Sequence, residues 1–302
     1  MALTTVGTLA KLNWPGINAI WGEAYSSHPA EWSKLFTVET SDRNYEEDQQ
    51  LYRYGLAVVK PEGEPISVDY EGQGYTRRYV PYVVALSYTM TREAATDNLY
   101  LNVATKRTKS LARSMNVTKE YFCAAVLNNG FSNTYAGGDG KALLATDHPS
   151  PNGTWSNELS TAADLSQASL EDIVIQMANA VDDRGLPFSL REQGLTVPTA
   201  LMFDAQRLLQ TTGEPETALN NINTLKGLFP KGLMVNHYLS STEAWFVTTD
   251  CPEGLKMFQR WAIEFGEDND FDTQNQKYAA VERYSVGWTD PHGIYGSPGA
   301  GN

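Results

Sequence analysis

The sequence predicts an α+β fold in which one long helix and one extended arm stand beside a body of short mixed elements. Three observations predict it. Residues 91–130 run without Pro or Gly until Gly130, and their apolar positions keep a helical period. Residues 36–90 contain apolar runs in the period of two that strands require. Beyond Leu190, short apolar runs alternate with short helical ones, so 189–280 reads as a mixed unit of its own.

Residues 1–35 hold Pro15, Gly16, Gly22 and Pro29 among scattered aromatics (Trp14, Trp21, Tyr25, Trp32) and keep no sustained period. They predict an N-terminal arm, and tryptophans are costly enough in water that the arm is expected to pack. The next segment, 36–90, shows Phe36 and Val38, then 56–59, then Ile66, Val68 and Tyr70. It ends in a long alternating strand with Tyr82, Val84, Leu86, Tyr88 and Met90 on one face. Between Glu39 and Glu71 stand nine acids and three bases, with little apolar material for a separate core. Such a segment is an antiparallel arm projecting from the body. An isolated hairpin is marginal in water, so it needs a surface to lie on.

The helix over 91–130 places Ala104, Thr108, Leu111, Met115, Thr118, Phe122 and Ala125 along one stripe. Lys106, Arg107, Lys109, Arg113 and Lys119 fill the other faces, with no acid between Asp97 and Glu120. A rod of about 40 residues is ~60 Å long, which exceeds the ~35–40 Å expected of a compact chain from its radius of gyration. Either the helix breaks near Asn116 or the molecule is flat and elongated. The charges suggest a contact between copies, with Glu46, Glu47, Asp48, Glu62, Glu64 and Asp69 of one arm meeting Arg107 and Arg113 of a neighbour.

After a Gly- and Pro-rich loop, a second helix is expected from an N-cap at Ser169 to a stop at Gly185, with Asp172 in its first turn and Ile173, Met177 and Ala180 on one face. A domain boundary falls near Pro187. Beyond it, 201–203 reads as a strand, Asp204 as the cap of a helix over 205–212, and 233–235, 244–248, 255–258, 261–265 and 278–286 as strands. The predicted division is an arm at 1–35, an extended loop at 36–90, a helix-bearing domain at 91–188, a mixed domain at 189–280 and a return at 281–302.

The chain has 302 residues with 23 Lys+Arg, 36 Asp+Glu and a net charge of −13. That surplus of acid argues against nucleic acid as a bound ligand and against an anionic membrane surface. No apolar run approaches ~18 residues, so no span of a bilayer is expected. The opening residues lack a basic n-region, and Cys123 and Cys251 are solitary. The reading is a chain folded in a reducing cytoplasm with both thiols buried.

Motifs that would carry chemistry each lack a required residue. A phosphate-binding loop around Gly137-Gly138-Asp139-Gly140-Lys141 would need Gly at Tyr135 and Ser or Thr at Ala142. Gly72-Gln73-Gly74 would need a third Gly at Arg77. A calcium loop read from Asp268 has Thr273 at its sixth position and Ala279 at its twelfth. His28, His148, His237 and His292 are far apart and form no HExxH pair. Asp147, His148 and Ser150 are hydrolase residue types without a nucleophile elbow, and adjacent strand residues point opposite ways. No enzyme, metal or cofactor is expected; a hydrolase using His148 with Asp147 is the reading set against this.

Two stretches resemble a known family. Residues 140–149, GKALLATDHP, resemble the segment after the long helix in tailed-bacteriophage major capsid proteins, and 287–297, GWTDPHGIYGS, resemble their terminal segment. The branch most similar is the Mu-type major head subunit. The order of elements agrees with the HK97-like capsid fold. The resemblance implies an N-arm, an extended loop lying on the next subunit, a spine helix in a peripheral domain, and an axial domain at the capsomer centre. It also implies hexamers and pentamers closing an icosahedral shell around double-stranded DNA in the bacterial cytoplasm, with a scaffolding protein, a portal and a decoration protein as partners. The alternative sharing that fold is an encapsulin-type compartment, which holds cargo protein instead.

Overall fold

A computed structural model of the chain describes residues 17–70, 72–91, 93, 100–213, 221–270, 273 and 275–301. The first sixteen residues of the predicted arm, and 92 and 94–99 of the predicted long helix, lie outside the described residues.

Two four-stranded sheets organise the molecule. The first has the order β1 (Thr37–Thr40), β10 (Leu255–Asn269), β11 (Gln276–Trp288), β4 (Tyr82–Met90). Its centre is a long antiparallel hairpin in which Tyr278 faces Tyr88 and Glu267, while β1 joins the edge in parallel. The second sheet has the order β12 (Ile294–Ser297), β9 (Trp245–Thr249), β7 (Glu192–Pro198), β8 (Gly232–Asn236). Two small hairpins complete the set: β2 (Glu46–Leu51) with β3 (Gln73–Tyr79), and β5 (His148–Ser150) with β6 (Gly153–Trp155).

Each sheet draws its strands from distant parts of the chain. β10 lies inside the segment expected to be one mixed domain, 189–280, yet it pairs with β11 and shares a sheet with β4. β12 lies in the segment expected to return to the first domain, yet it closes the edge of the second sheet beside β9. Within 36–90, β1 and β4 belong to the body and only β2–β3 forms the arm. Strand partners far apart in the chain leave no local trace in the sequence.

A helix over 17–26 (α1) and the long helix α2 (Tyr100–Asn128) cover one face of the first sheet. α2 is unbroken through Asn116, and its 29 residues make a rod of about 43 Å. It ends two residues before Gly130, whose N–H donates to the Leu127 carbonyl at 2.9 Å. Asn116 instead donates its side-chain amide to the Tyr25 carbonyl at 2.9 Å. The buried stripe begins as predicted with Ala104, Thr108, Leu111 and Met115. From there it continues through Lys119, Cys123 and Leu127, leaving Phe122 at 38% exposure. Steps of four replace the expected alternation because the helix turns its C-terminal half toward a second neighbour, the loop residues Leu143 and Leu144. Trp21 of α1 is buried and stacks on Phe265 of β10 at 4.6 Å.

Helix α3 (Gln167–Ala178) has its cap three residues before the predicted one. Ser166 is the N-cap, and Ser169 completes the box by accepting from the Ser166 N–H at 2.9 Å. Gly185 stands beyond the helix in a turn, at φ +81°. The expected strand at 201–203 is helical: the strand is β7, which ends at Pro198, and α4 runs over Met202–Gln210 with Asp204 in its first turn, paired with Arg207. Ile173 and Met177 of α3 join Leu195, Val197, Trp245 and Tyr295 in the core of the second sheet. A further cluster joins the two sheets, with Phe36, Leu127, Phe246, Met257, Trp288 and Ile294 packed together.

Candidate subunit-contact surfaces

The root of the arm is anchored to the body by a buried cation. Lys256 on β10 is 3% exposed and its Nζ reaches Asp48 of β2 at 2.6 Å, Glu39 of β1 at 3.3 Å, and Glu253. Burial pulls this ammonium down, and the hydrogen bonds it donates to Asp48 and Glu253, with their charges, outweigh it, so the net shift is upward. Thr289 donates to the same Asp48 carboxylate at 2.5 Å and meets the Tyr79 hydroxyl at 2.8 Å. Gly287 makes room for this arrangement: a Cβ there would lie 2.8 Å from the Tyr79 ring. The acids of β2 face the bases of β3 across the hairpin, Glu47 opposite Arg78 and Asp48 opposite Arg77. Glu46 accepts from the Ser41 hydroxyl at 2.7 Å.

Beyond the root the ladder stops. Residues 52–70 contain no strand, and their backbone is held at a few points only. The Tyr52 N–H donates to the Gly72 carbonyl, and the Arg53 N–H donates to the Asp183 carboxylate at 3.2 Å. Arg184 reaches Asp69 at 3.4 Å and the Tyr70 carbonyl at 3.0 Å. The apolar side chains of this tip meet nothing that buries them. Leu56, Val58, Val59, Ile66, Val68 and Tyr70 are between 72 and 89% exposed. So dense a group of wet apolar side chains on one segment marks a contact surface.

The predicted contact residues therefore divide. Glu46, Asp48 and Asp69 are engaged within their own chain, and Glu47 stands 3.9 Å from Arg78. Their partners in the chain are Ser41 and Arg43 for Glu46, Lys256 for Asp48, Arg184 for Asp69 and Arg78 beside Glu47. Glu62 and Glu64, at the turn of the tip, are exposed and have no ion-pair partner among the described residues. On α2, Arg107 is exposed and donates to the Thr89 carbonyl at 3.0 Å, and Arg113 is exposed without a carboxylate partner among the described residues. Lys119, read from sequence as a surface cation, is buried and paired with Glu282 at 2.5 Å. Neighbouring Glu120 is also buried and accepts from the Glu31 and Trp32 N–H groups. Burial raises its carboxyl to about 7 against those hydrogen bonds. Sequence reasoning missed Lys256, Glu120 and Glu282; a lone Lys between Leu255 and Met257 in an apolar run was the available signal for the first.

The hydrolase residue types are held apart. Asp147 pairs with Lys141, while His148 is buried between Asp139 at 2.6 Å and Asn157 at 3.0 Å. Trp155 stacks between His148 and His292, and His292 in turn stacks on Phe188. A cavity of about 560 Å³ lies between this stack and the arm root, with Tyr52, Arg53 and Tyr75 on the arm side. Its acids are committed, Asp48 to Lys256, Asp183 to the Arg53 N–H and Asp290 to His292. Among the described residues no three His, Cys, Asp or Glu side chains are grouped to hold a metal ion. No described helix is long and apolar enough to cross a membrane.

Set beside known proteins, residues 74–297 match the family model described as phage capsid protein. No curated protein matches the sequence. Among solved structures, the procapsid of bacteriophage JBD30 is similar at a TM-score of 0.55 and 14% identity, covering 96% of this chain and 75% of that one. The capsid of the same bacteriophage, decorated with minor capsid protein trimers, is similar at 0.56 and 15%, covering 71% and 92%. A virus-like particle from Pyrococcus furiosus is similar at 0.54 and 10%, covering 92% and 96%.

Proposed function

The chain belongs to the phage capsid protein family as a major capsid subunit with the HK97-like fold, and we propose that its arm is the device by which copies join. The observation that carries this is the tip at 52–70, whose apolar side chains are exposed in the single chain. They become dry when the arm lies on the next subunit. The surface that suits them is the uncovered face of the first sheet. α2 occupies the face bearing Tyr82, Val84 and Tyr88, and strand alternation leaves Val83, Ala85, Val281 and Trp261 on the other. Val83 is 53% exposed and Trp261 43%. Glu62 and Glu64 are the arm acids left to meet a neighbour's cations at the rim of that contact.

On this reading the copies form hexamers and pentamers that close an icosahedral shell around double-stranded DNA, assembled in the host cytoplasm and located in the virion capsid. A separate scaffold, a portal and a decoration protein are the further partners; the JBD30 capsid carries minor capsid protein trimers. The family is one of structural proteins rather than enzymes. The fold alone is shared with a virus-like particle, so the family match is what favours a phage head over a protein-filled compartment.

The experiment is negative-stain microscopy of the expressed chain beside an Ile66→Asp/Val68→Asp variant. Shells or hexamer rings from the native chain, and unassembled subunits from the variant, support the proposal. Shells of equal yield from both contradict the role given to the arm. Gel electrophoresis of particle contents separates genome from cargo protein.

A further inference from the structure

We infer that the exposed cationic stripe of α2, Lys106, Lys109 and Arg113, faces the lumen of the shell and contacts the phosphates of packaged duplex DNA. The inference rests on the capsid reading and assigns a surface that reading leaves open. The three side chains are spaced three and four residues apart, which puts them on one side of the helix, and all three are exposed. Like charges at these spacings repel, so the stripe weakens the isolated helix. Other bases of the chain, among them Arg78, Lys141, Arg184, Lys256 and Lys277, stand against a carboxylate. None of the three on α2 does so among the described residues.

Charge complementarity and topology choose the occupant. α2 lies on one face of the first sheet, so its outer side and the sheet's uncovered face are the two opposite sides of one layer. The uncovered face is apolar at Val83, Ala85, Val281 and Trp261 and suits the apolar arm tip of a second copy. Glu46 and Asp48 at the arm root and Asp69 of the tip are engaged in their own chain. A polyanion suits the cationic side. From Lys106 to Arg113 is a rise of about 10 Å, and duplex DNA presents a charge every ~1.7 Å of its axis, so the stripe spans enough phosphates for three contacts. The contact reads no sequence, because phosphate carries none.

The test uses the chain as unassembled subunits and a fluorescein-labelled 30-base-pair duplex, with binding followed by anisotropy as salt is raised. Three neutralised phosphates predict a log–log salt slope of about −2.7. The Lys106→Gln/Lys109→Gln/Arg113→Gln variant is expected to bind at least tenfold more weakly with a slope near zero, and Lys106→Arg/Lys109→Arg to bind as the native chain does. Equal binding by the native and Gln chains, or no binding by the native chain, overturns the inference. A Gln variant that binds the duplex normally but no longer forms shells also overturns it, because the stripe is then a contact between copies. Microscopy of the same preparations keeps the two readings separate. Shells from native and Gln chains alike, with equal duplex binding, remove the lumenal assignment and leave the capsid reading intact.

Discussion

The two halves of the arm share one hairpin and have opposite physical status. At the root, a buried ammonium, a hydroxyl pair and a two-stranded ladder tie Glu46–Leu51 and Gln73–Tyr79 to the body. At the tip, 52–70 exposes its apolar side chains and holds its backbone at isolated points. The root is folded by the chain itself. The tip has a sequence suited to burial and, within one copy, nothing to bury it. The difference teaches that charge is spent on fixing where the arm leaves the body, while apolar surface is reserved for the neighbour.

Removing the root's cation should break the comparison most severely. Lys256→Ala leaves Asp48 partly buried without its countercharge, and unfolding in denaturant is expected to register a loss of about 3–5 kcal/mol. A loss under about 1 kcal/mol would show that the root is not anchored there. Next in size is a pH effect at the N-terminal segment, which is held like the root by a buried charge. The Glu120 carboxyl is raised by burial to about 7, above its ordinary value near 4.5. The folded state thus binds the proton more tightly than the unfolded one, and this group's contribution to stability is greatest below about pH 4.5 and declines as pH rises to 7. Two to three units correspond to roughly 3 kcal/mol. Glu120→Gln should flatten that limb of the stability profile between pH 5 and 8, and an unchanged profile would remove Glu120 as its source. The facing charges are Glu31 and Lys119, with Glu282 behind Lys119.

A smaller effect is expected from Gly287→Ala, whose methyl would press on the Tyr79 ring. A cost of about 1–3 kcal/mol in thermal or chemical unfolding is predicted, and a neutral result would mean that the ring moves aside freely. The tip sharpens the contrast from the other side. Val58→Asp or Ile66→Asp should change the unfolding of isolated subunits by no more than about 0.5 kcal/mol while sharply reducing assembly. A large loss of monomer stability would show that the tip is packed within its own chain.

Much of this architecture was legible from period and punctuation. The stripe from Ala104 to Met115 announced α2, the alternation from Tyr82 to Met90 announced β4, and the acidic stretch with few apolar residues announced an arm. What was not legible depends on distant partners. Lys119 has the spacing of a surface cation until Glu282, more than 160 positions away, arrives beside it. Glu46 and Asp48 look like a free acidic edge until Ser41 and Lys256 are placed against them. β10 and β4 share a sheet through β11, which no local pattern reveals. Cap positions failed for a nearer reason: Ser166 and Ser169 are both good N-caps, and the geometry of the box chose the first.

Hydrogen exchange at residues 52–70, compared between unassembled subunits and shells, tests the central claim most directly. The account predicts fast exchange along the tip in the free subunit, slow exchange in the shell, and at the root the same protection in both. Protection of the tip already present in the free subunit, or exchange that stays fast after shells have closed, would contradict it.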